Sequence, residues 1–151
     1  MDKKTRPSPV TDYYRLCFRG MLSPSSERTL ISAIIPPKAA HIHGVQSTSF
    51  KSNSLLLAAS GISNSLISDF YIKTTGRSNL FDSWSALPFL SSNTELTCLT
   101  LTLQCLSIDY AKLWEDQFSQ YFLEQKWAKI DSRLNNQFFG NLTREWQHSC
   151  A

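Results

Sequence analysis

Three arginines set among apolar residues are the side chains in this chain best placed to do chemistry. In Y-Y-R-L-C-F-R-G-M-L-S-P-S-S-E-R-T-L-I-S-A-I-I-P-P, residues 13–37, Arg15 and Arg19 interrupt one apolar run and Arg28 opens a second. A guanidinium binds flat anions through a rigid fork of donors, so several on one strand face point to a polyanionic partner. The competing reading for each is a structural ion pair, for example with Asp12 or Glu27. A compact pair, His41-x-His43, follows the arginines. Zinc would need further ligands, from Cys17, Cys98 or Cys105 brought in by the fold, and two ordinary strand histidines are the simpler reading.

These residues need strands to hold them. Tyr14, Leu16 and Phe18 alternate with Tyr13, Arg15, Cys17 and Arg19, a period of two that predicts a strand with the arginines facing outward together. Residues 29–35 are rich in β-branched side chains and stop at Pro36-Pro37, which predicts a second strand. Ser23-Pro24-Ser25-Ser26 supplies the turn. A third strand is expected within residues 39–50, with Gly44 marking a bulge or a close backbone approach.

Helices are expected to back these strands. One is predicted over residues 52–75, with a stripe of Leu55, Ala59, Ile62, Leu66 and Phe70 widened by Ile67 and Tyr71. Ser52 or Asn53 caps it, Gly61 marks a kink or a close helix contact, and Gly76 ends it. Residues 77–90 read as a loop packed down by its aromatics. Leu99, Leu101 and Leu103 alternate like a strand, yet Leu96, Leu99, Leu103, Leu106, Tyr110, Leu113 and Trp114 keep helical spacing over a longer window. The longer pattern, with Ser92 and Glu95 as a capping box, predicts a helix. An amphipathic segment over 108–122 follows, while 127–151 has no clear period. Trp84, Trp114 and Trp127 are expected to be core or interface anchors. The fold class predicted is α+β, short antiparallel strands on the N-terminal side packed by C-terminal amphipathic helices. Its organisation is a disordered lead-in over 1–10, a domain over 11–125, and a C-terminal extension over 126–151 that is cut short.

At 151 residues, 42% hydrophobic and 18% charged, the composition is that of one globular domain. The charge is uneven. Residues 1–77 hold ten basic and four acidic side chains, residues 78–125 one and six, and residues 126–151 four and two. The positive part coincides with the predicted strands, as a surface for nucleic acid would. No apolar run approaches the ~20 residues of a membrane span and no signal-peptide pattern opens the chain, so a cytoplasmic protein with free thiols is expected. G-x-G-x-x-G, P-loop, G-x-S-x-G and H-E-x-x-H motifs are missing, and Asp69, Asp82 and Asp109 are separate acids expected to face water. No residue qualifies as catalytic or metal-ligating on these grounds.

Three stretches in order resemble one family. R-L-C-F-R-G-M with S-E-R-T-L-I-S-A-I-I-P-P is similar to the segment following the catalytic core in large adenine-specific DNA methyltransferases of type IIG restriction-modification and related phage-defence systems. N-S-L-L-L-A-A-S-G-I-S-N-S-L-I-S-D-F-Y-I-K resembles the helix of their target-recognition region. L-P-F-L with C-L-S-I-D-Y-A-K-L-W-E resembles the closing loop and following helix. The family's Asn-Pro-Pro-Tyr-type motif and its glycine-containing S-adenosylmethionine loop do not occur here. The resemblance therefore implies a role in recognising double-stranded DNA without catalysis by this chain alone. S-adenosylmethionine and a methyltransferase core, on the same or a neighbouring polypeptide, belong to the complete enzyme. Arg15, Arg19, Arg28 and Thr29 are the matching positions, and Lys38, His41, His43 and Lys51 are further candidates for phosphate contacts. The alternative is a structural or protein-interaction domain whose 108–122 segment docks a partner and whose basic face is incidental.

Overall fold

The computed structural model describes residues 8–81, 83–88, 90 and 93–148. The fold is α+β, with a three-stranded antiparallel sheet against helices. β1 (Arg15–Arg19) is central, between β2 (Ser32–Ile35) and β3 (Val45–Thr48). Leu16 pairs with Ile34 on one side and Thr48 on the other, and Phe18 with Ser32 and Gln46. Leu16, Phe18 and Ile34 thus share the face that enters the core. Antiparallel pairing leaves alternate peptides of β2 pointing away from β1. At Ile34 both outward groups are occupied: its N–H donates to Gln104 Oε1 at 2.9 Å, and its carbonyl accepts from the Tyr110 hydroxyl at 2.8 Å. This blocks part of an edge that could otherwise recruit another strand.

The predicted helix over 52–75 is two helices, α1 (Asn53–Ser63) and α2 (Leu66–Thr74), bent by 64°. Ser52 caps the first, Ser65 restarts the second, and Gly76 at φ 63° follows its end. The break moves the buried stripe. Leu56, Leu57, Ala59 and Ile62 of α1 are buried, whereas Leu66, Ile67, Phe70 and Tyr71 of α2 are exposed. Gly61 marks a close contact: a Cβ there would stand 2.6 Å from Thr100 Oγ1 and 2.7 Å from Leu96 Cδ1. That packing seats α1 on α3 (Thr94–Gln104).

α3 is a helix rather than a strand, but its buried side is Cys98, Leu101 and Cys105 and not the expected stripe, of which Leu103 and Leu106 are exposed. Its cap is Asn93, whose Oδ1 accepts from the Glu95 and Leu96 amides; Ser92 lies outside the described residues. The helix does not run on to Trp114. It stops at Cys105, and the chain passes through a 3-10 turn (Ile108–Tyr110) into α4 (Ala111–Gln117). In the 108–122 segment Leu113, Trp114 and Phe122 are buried and Tyr121 is exposed, so most of its large apolar face is already used inside the molecule.

The irregular tail contributes to the same core. Phe139, Leu142 and Trp146 join it, the Trp146 indole donates to the Cys105 carbonyl at 2.8 Å, and the Trp114 indole donates to Thr143 at the same distance. Trp127 packs on Phe138 and Phe139, and Trp84 stacks on Phe18 with ring centres 4.9 Å apart. Among the described residues no single helix is long and apolar enough to cross a membrane.

Candidate nucleic-acid interface

The eight residues singled out from the sequence separate into a buried or half-buried set, Arg15, Arg19, Arg28 and Thr29, and an exposed set, with Lys38, His41 and His43 between β2 and β3 and Lys51 after β3. Arg15 is 3% exposed. Its Nη2 donates to the Ala39 carbonyl, and its Nη1 donates to Ser47 Oγ at 3.5 Å. The expectation that the β1 arginines face solvent together is therefore corrected: Arg15 and Cys17 are buried, and the chain after β2 returns to meet them. Burial pushes the Cys17 thiol up, with Arg15 opposing. Arg19 is half-buried, and its Nε and Nη2 are enclosed without a hydrogen-bond partner.

Arg28 and Thr29 are held by an acid that the sequence reading left in water. Asp69, 5% exposed on α2, accepts from the Thr29 amide at 2.8 Å and the Leu30 amide at 2.6 Å through one oxygen. The Arg28 Nε lies 3.6 Å from that oxygen, and its Nη2 donates to the Asn64 carbonyl at 3.0 Å. The ion-pair partner of Arg28 is thus Asp69 rather than Asp12 or Glu27. Thr29 is 0% exposed, with its hydroxyl donating to the Ser23 carbonyl at 3.3 Å, so its side chain is no surface contact. One helical turn beyond Asp69, Lys73 Nζ donates to the Ser26 carbonyl at 3.0 Å. Together the two α2 residues fasten the connection between β1 and β2. Only the Ser65 cap and an acid in the next helical turn hint at this in the sequence; the contact spans forty positions in the chain.

The exposed set is Lys38, His41, His43 and Lys51. Lys38 adopts a left-handed φ of 66°, and its amide donates to the Thr11 carbonyl, which turns the chain back toward β3. His41 Nδ1 lies 3.2 Å from the Ile42 carbonyl, and its Nε2 lies 2.7 Å from Ser47 Oγ. A carbonyl only accepts, so Nδ1 donates, and with a neutral imidazole the Ser47 hydroxyl that accepts from Arg15 donates to Nε2. Arg15 therefore fixes the loop twice, through Ala39 and through the Ser47–His41 relay. His43 stands at the edge of a depression beside β3 and makes no hydrogen bond of its own. The two histidines thus part company. Among the described residues no three His, Cys, Asp or Glu side chains converge as a metal site.

The charge along this stretch of chain is one-sided. From Arg28 to Ser68 the chain contains no acidic residue, while Arg28, Lys38 and Lys51 lie within it. Lysines on exposed loops attract phosphates without base preference. A site for S-adenosylmethionine does not fit the described lining of the depression beside β3, which offers, among the described residues, no carboxylate for an ammonium or for ribose hydroxyls. The described cysteines Cys17, Cys98 and Cys105 are free, and burial holds the thiols of Cys98 and Cys105 up at about 12. They are neither nucleophiles nor ligands in this state. Asp82 and Cys150 lie outside the described residues.

Comparison of the chain with protein-family profiles, with curated proteins and with solved structures returns no match.

Proposed function

We propose that this chain is the DNA-recognition part of an adenine-specific DNA methyltransferase of restriction-modification or phage-defence type. It works in the cytoplasm with a catalytic core on the same or a neighbouring polypeptide, and that core, not this chain, binds S-adenosylmethionine and transfers the methyl group. The observation that carries the reading is the acid-free stretch from Arg28 to Ser68, in which Lys38, His41, His43 and Lys51 are exposed. The three stretches resembling the family support it further, because they coincide with β1, the connection to β2, α1 with α2, and the end of α3 with α4, the elements that share one core. In this reading Arg15, Arg28 and Thr29 are positioning residues, and the DNA meets the loop they hold.

The test is selection of duplexes from a randomised pool on the immobilised chain, followed by sequencing. Enrichment of a defined motif is the expected result, and a bound fraction with the composition of the input pool overturns sequence recognition. One observation favours a second reading, a protein-interaction domain: α2 presents Leu66, Ile67, Phe70 and Tyr71 to solvent with no charge among them. Under the first reading that face is where the methyltransferase core sits.

A further inference from the structure

The depression beside β3 has a volume of about 320 Å³ and lies where the chain leaves β1 and enters β3. Its floor is backbone. The Gly20 amide donates to the Gly44 carbonyl at 2.9 Å, and a Cβ on Gly20 would come within 3.1 Å of that oxygen. Its apolar walls are Met21 and Phe81, which remain 70% and 62% exposed. These walls are held in place: Met21 pairs with Asn79 in an isolated bridge, the Leu22 amide donates to Ser78, and the Leu80 amide donates to Gly20, both at 2.8 Å. Phe81 itself adopts φ 44°, a left-handed conformation that an aromatic residue seldom takes, and it does so with its ring turned out of the core.

The polar groups of the depression are unspent. Gln46 and His43 make no side-chain hydrogen bond, and the Asn79 carboxamide makes only a long one, 3.4 Å, to Ser78 Oγ. Among the described residues no charged side chain lines the depression, so they offer a phosphate, carboxylate or ammonium no counter-ion. What fits is neutral and flat, with donors and acceptors along one edge and an apolar face. A carboxamide presents a donor beside an acceptor, the pattern complementary to adenine N7 and N6 and equally to cytosine N3 and N4, and an aromatic side chain gives a base its stacking surface. A base still stacked in a duplex cannot enter between two walls. We infer that this depression binds one unstacked nucleobase, with Phe81 and Met21 against its face and Gln46 and Asn79 at its edge. The inference deepens the DNA-recognition reading and rests on it.

The experiment titrates the uniformly ¹⁵N-labelled chain with a single-stranded deoxyadenosine hexamer, an abasic hexamer of equal charge, and a mixed-sequence duplex. The hexamer bearing bases should move the amides of Gly20, Met21, Gly44, Gln46 and Phe81 and bind at least about 5-fold tighter than the abasic strand, the lower end of what stacking one base contributes. Phe81→Ala should remove that margin, and Gln46→Leu should reduce it. Both variants should retain the dispersed amide spectrum of the folded chain. Equal affinity for both hexamers, or shifts confined to residues 38–42 and Lys51, overturns the base pocket and leaves phosphate contact standing. Pocket shifts without duplex binding keep the pocket and overturn duplex recognition. Binding of no nucleic acid overturns both.

Discussion

Replacing Asp69 with alanine should cost more stability than any other single change to an ionisable residue described above. One buried carboxylate oxygen accepts from two amides at 2.8 and 2.6 Å and faces the Arg28 guanidinium at 3.6 Å. Hydrogen bonds to a charged group contribute about 1.5–3 kcal/mol each, which gives roughly 3–6 kcal/mol for the two amides before relaxation. The Arg28 pair adds less, because its side chain is 34% exposed and water screens it; about 0.5–1 kcal/mol is the appropriate scale. A net loss of about 4 kcal/mol allows for partial resolvation of the two amides. A shift of roughly 10 °C in Tm should accompany it in a chain of this size. Asp69→Asn, which keeps an acceptor oxygen, should lose about 1–2 kcal/mol, and Arg28→Ala about 1 kcal/mol. Urea unfolding of the three variants and of the Asp69→Ala/Arg28→Ala pair closes the cycle. A loss below about 1 kcal/mol in Asp69→Ala would refute the anchoring argument.

Gly61→Ala should destabilise by about 1–3 kcal/mol in urea unfolding despite the better helix propensity of alanine, because the new methyl meets Leu96 and Thr100; a stabilised variant would mean that α1 and α3 do not touch there. Arg15→Leu should free the 38–44 loop, seen as faster amide hydrogen exchange at residues 39–43 than in the parent chain, and unchanged exchange would contradict its positioning role. Cys17, Cys98 and Cys105 should resist a thiol reagent at pH 8 until the chain unfolds, and rapid labelling of Cys98 in the native state would contradict its burial. Because Cys98 and Cys105 hold their protons up to about 12 when folded and release them near 9 when unfolded, the folded state binds more protons in that window. Stability should then fall as pH rises from 9 to 12, by no more than about 1.4 kcal/mol per pH unit for each thiol; a flat profile would oppose this.

The elements with a strong local period were legible before the structure. The alternation of Leu16 and Phe18 and the β-branched run ending at Pro36 led to β1 and β2, and the long helical spacing of Leu96, Leu99 and Leu103 led to a helix at α3, though the side it buries is that of Cys98, Leu101 and Cys105. What could not be read was what crosses the chain. Period two puts Arg15 and Leu16 on opposite faces, but nothing local says that residues 36–43 fold back over the second face. The apolar stripe continued smoothly through Asn64 and Ser65, so the 64° bend left no trace in spacing, and Phe70 emerged exposed. Asp69 looked like a solvated helix acid because both amides that it binds lie in the connection before β2. The same gap affected the site. Lys38, His41, His43 and Lys51 were recognisable by type and are exposed, while Gln46, Asn79 and Phe81 carry no sequence signal until the fold brings them to one depression.

The central claim, that the exposed basic residues of the acid-free stretch engage DNA, is tested most directly by the salt dependence of binding. Fluorescence anisotropy of a labelled mixed-sequence duplex, titrated with the chain across a series of salt concentrations, gives a log–log slope of about −0.9 per neutralised phosphate. The chain should bind with a slope of roughly −2 to −3, and Lys38→Ala/Lys51→Ala should reduce its magnitude by about 2 while leaving the urea midpoint unchanged. Absence of binding in the parent chain, or a slope indifferent to the loss of both lysines, would contradict the account.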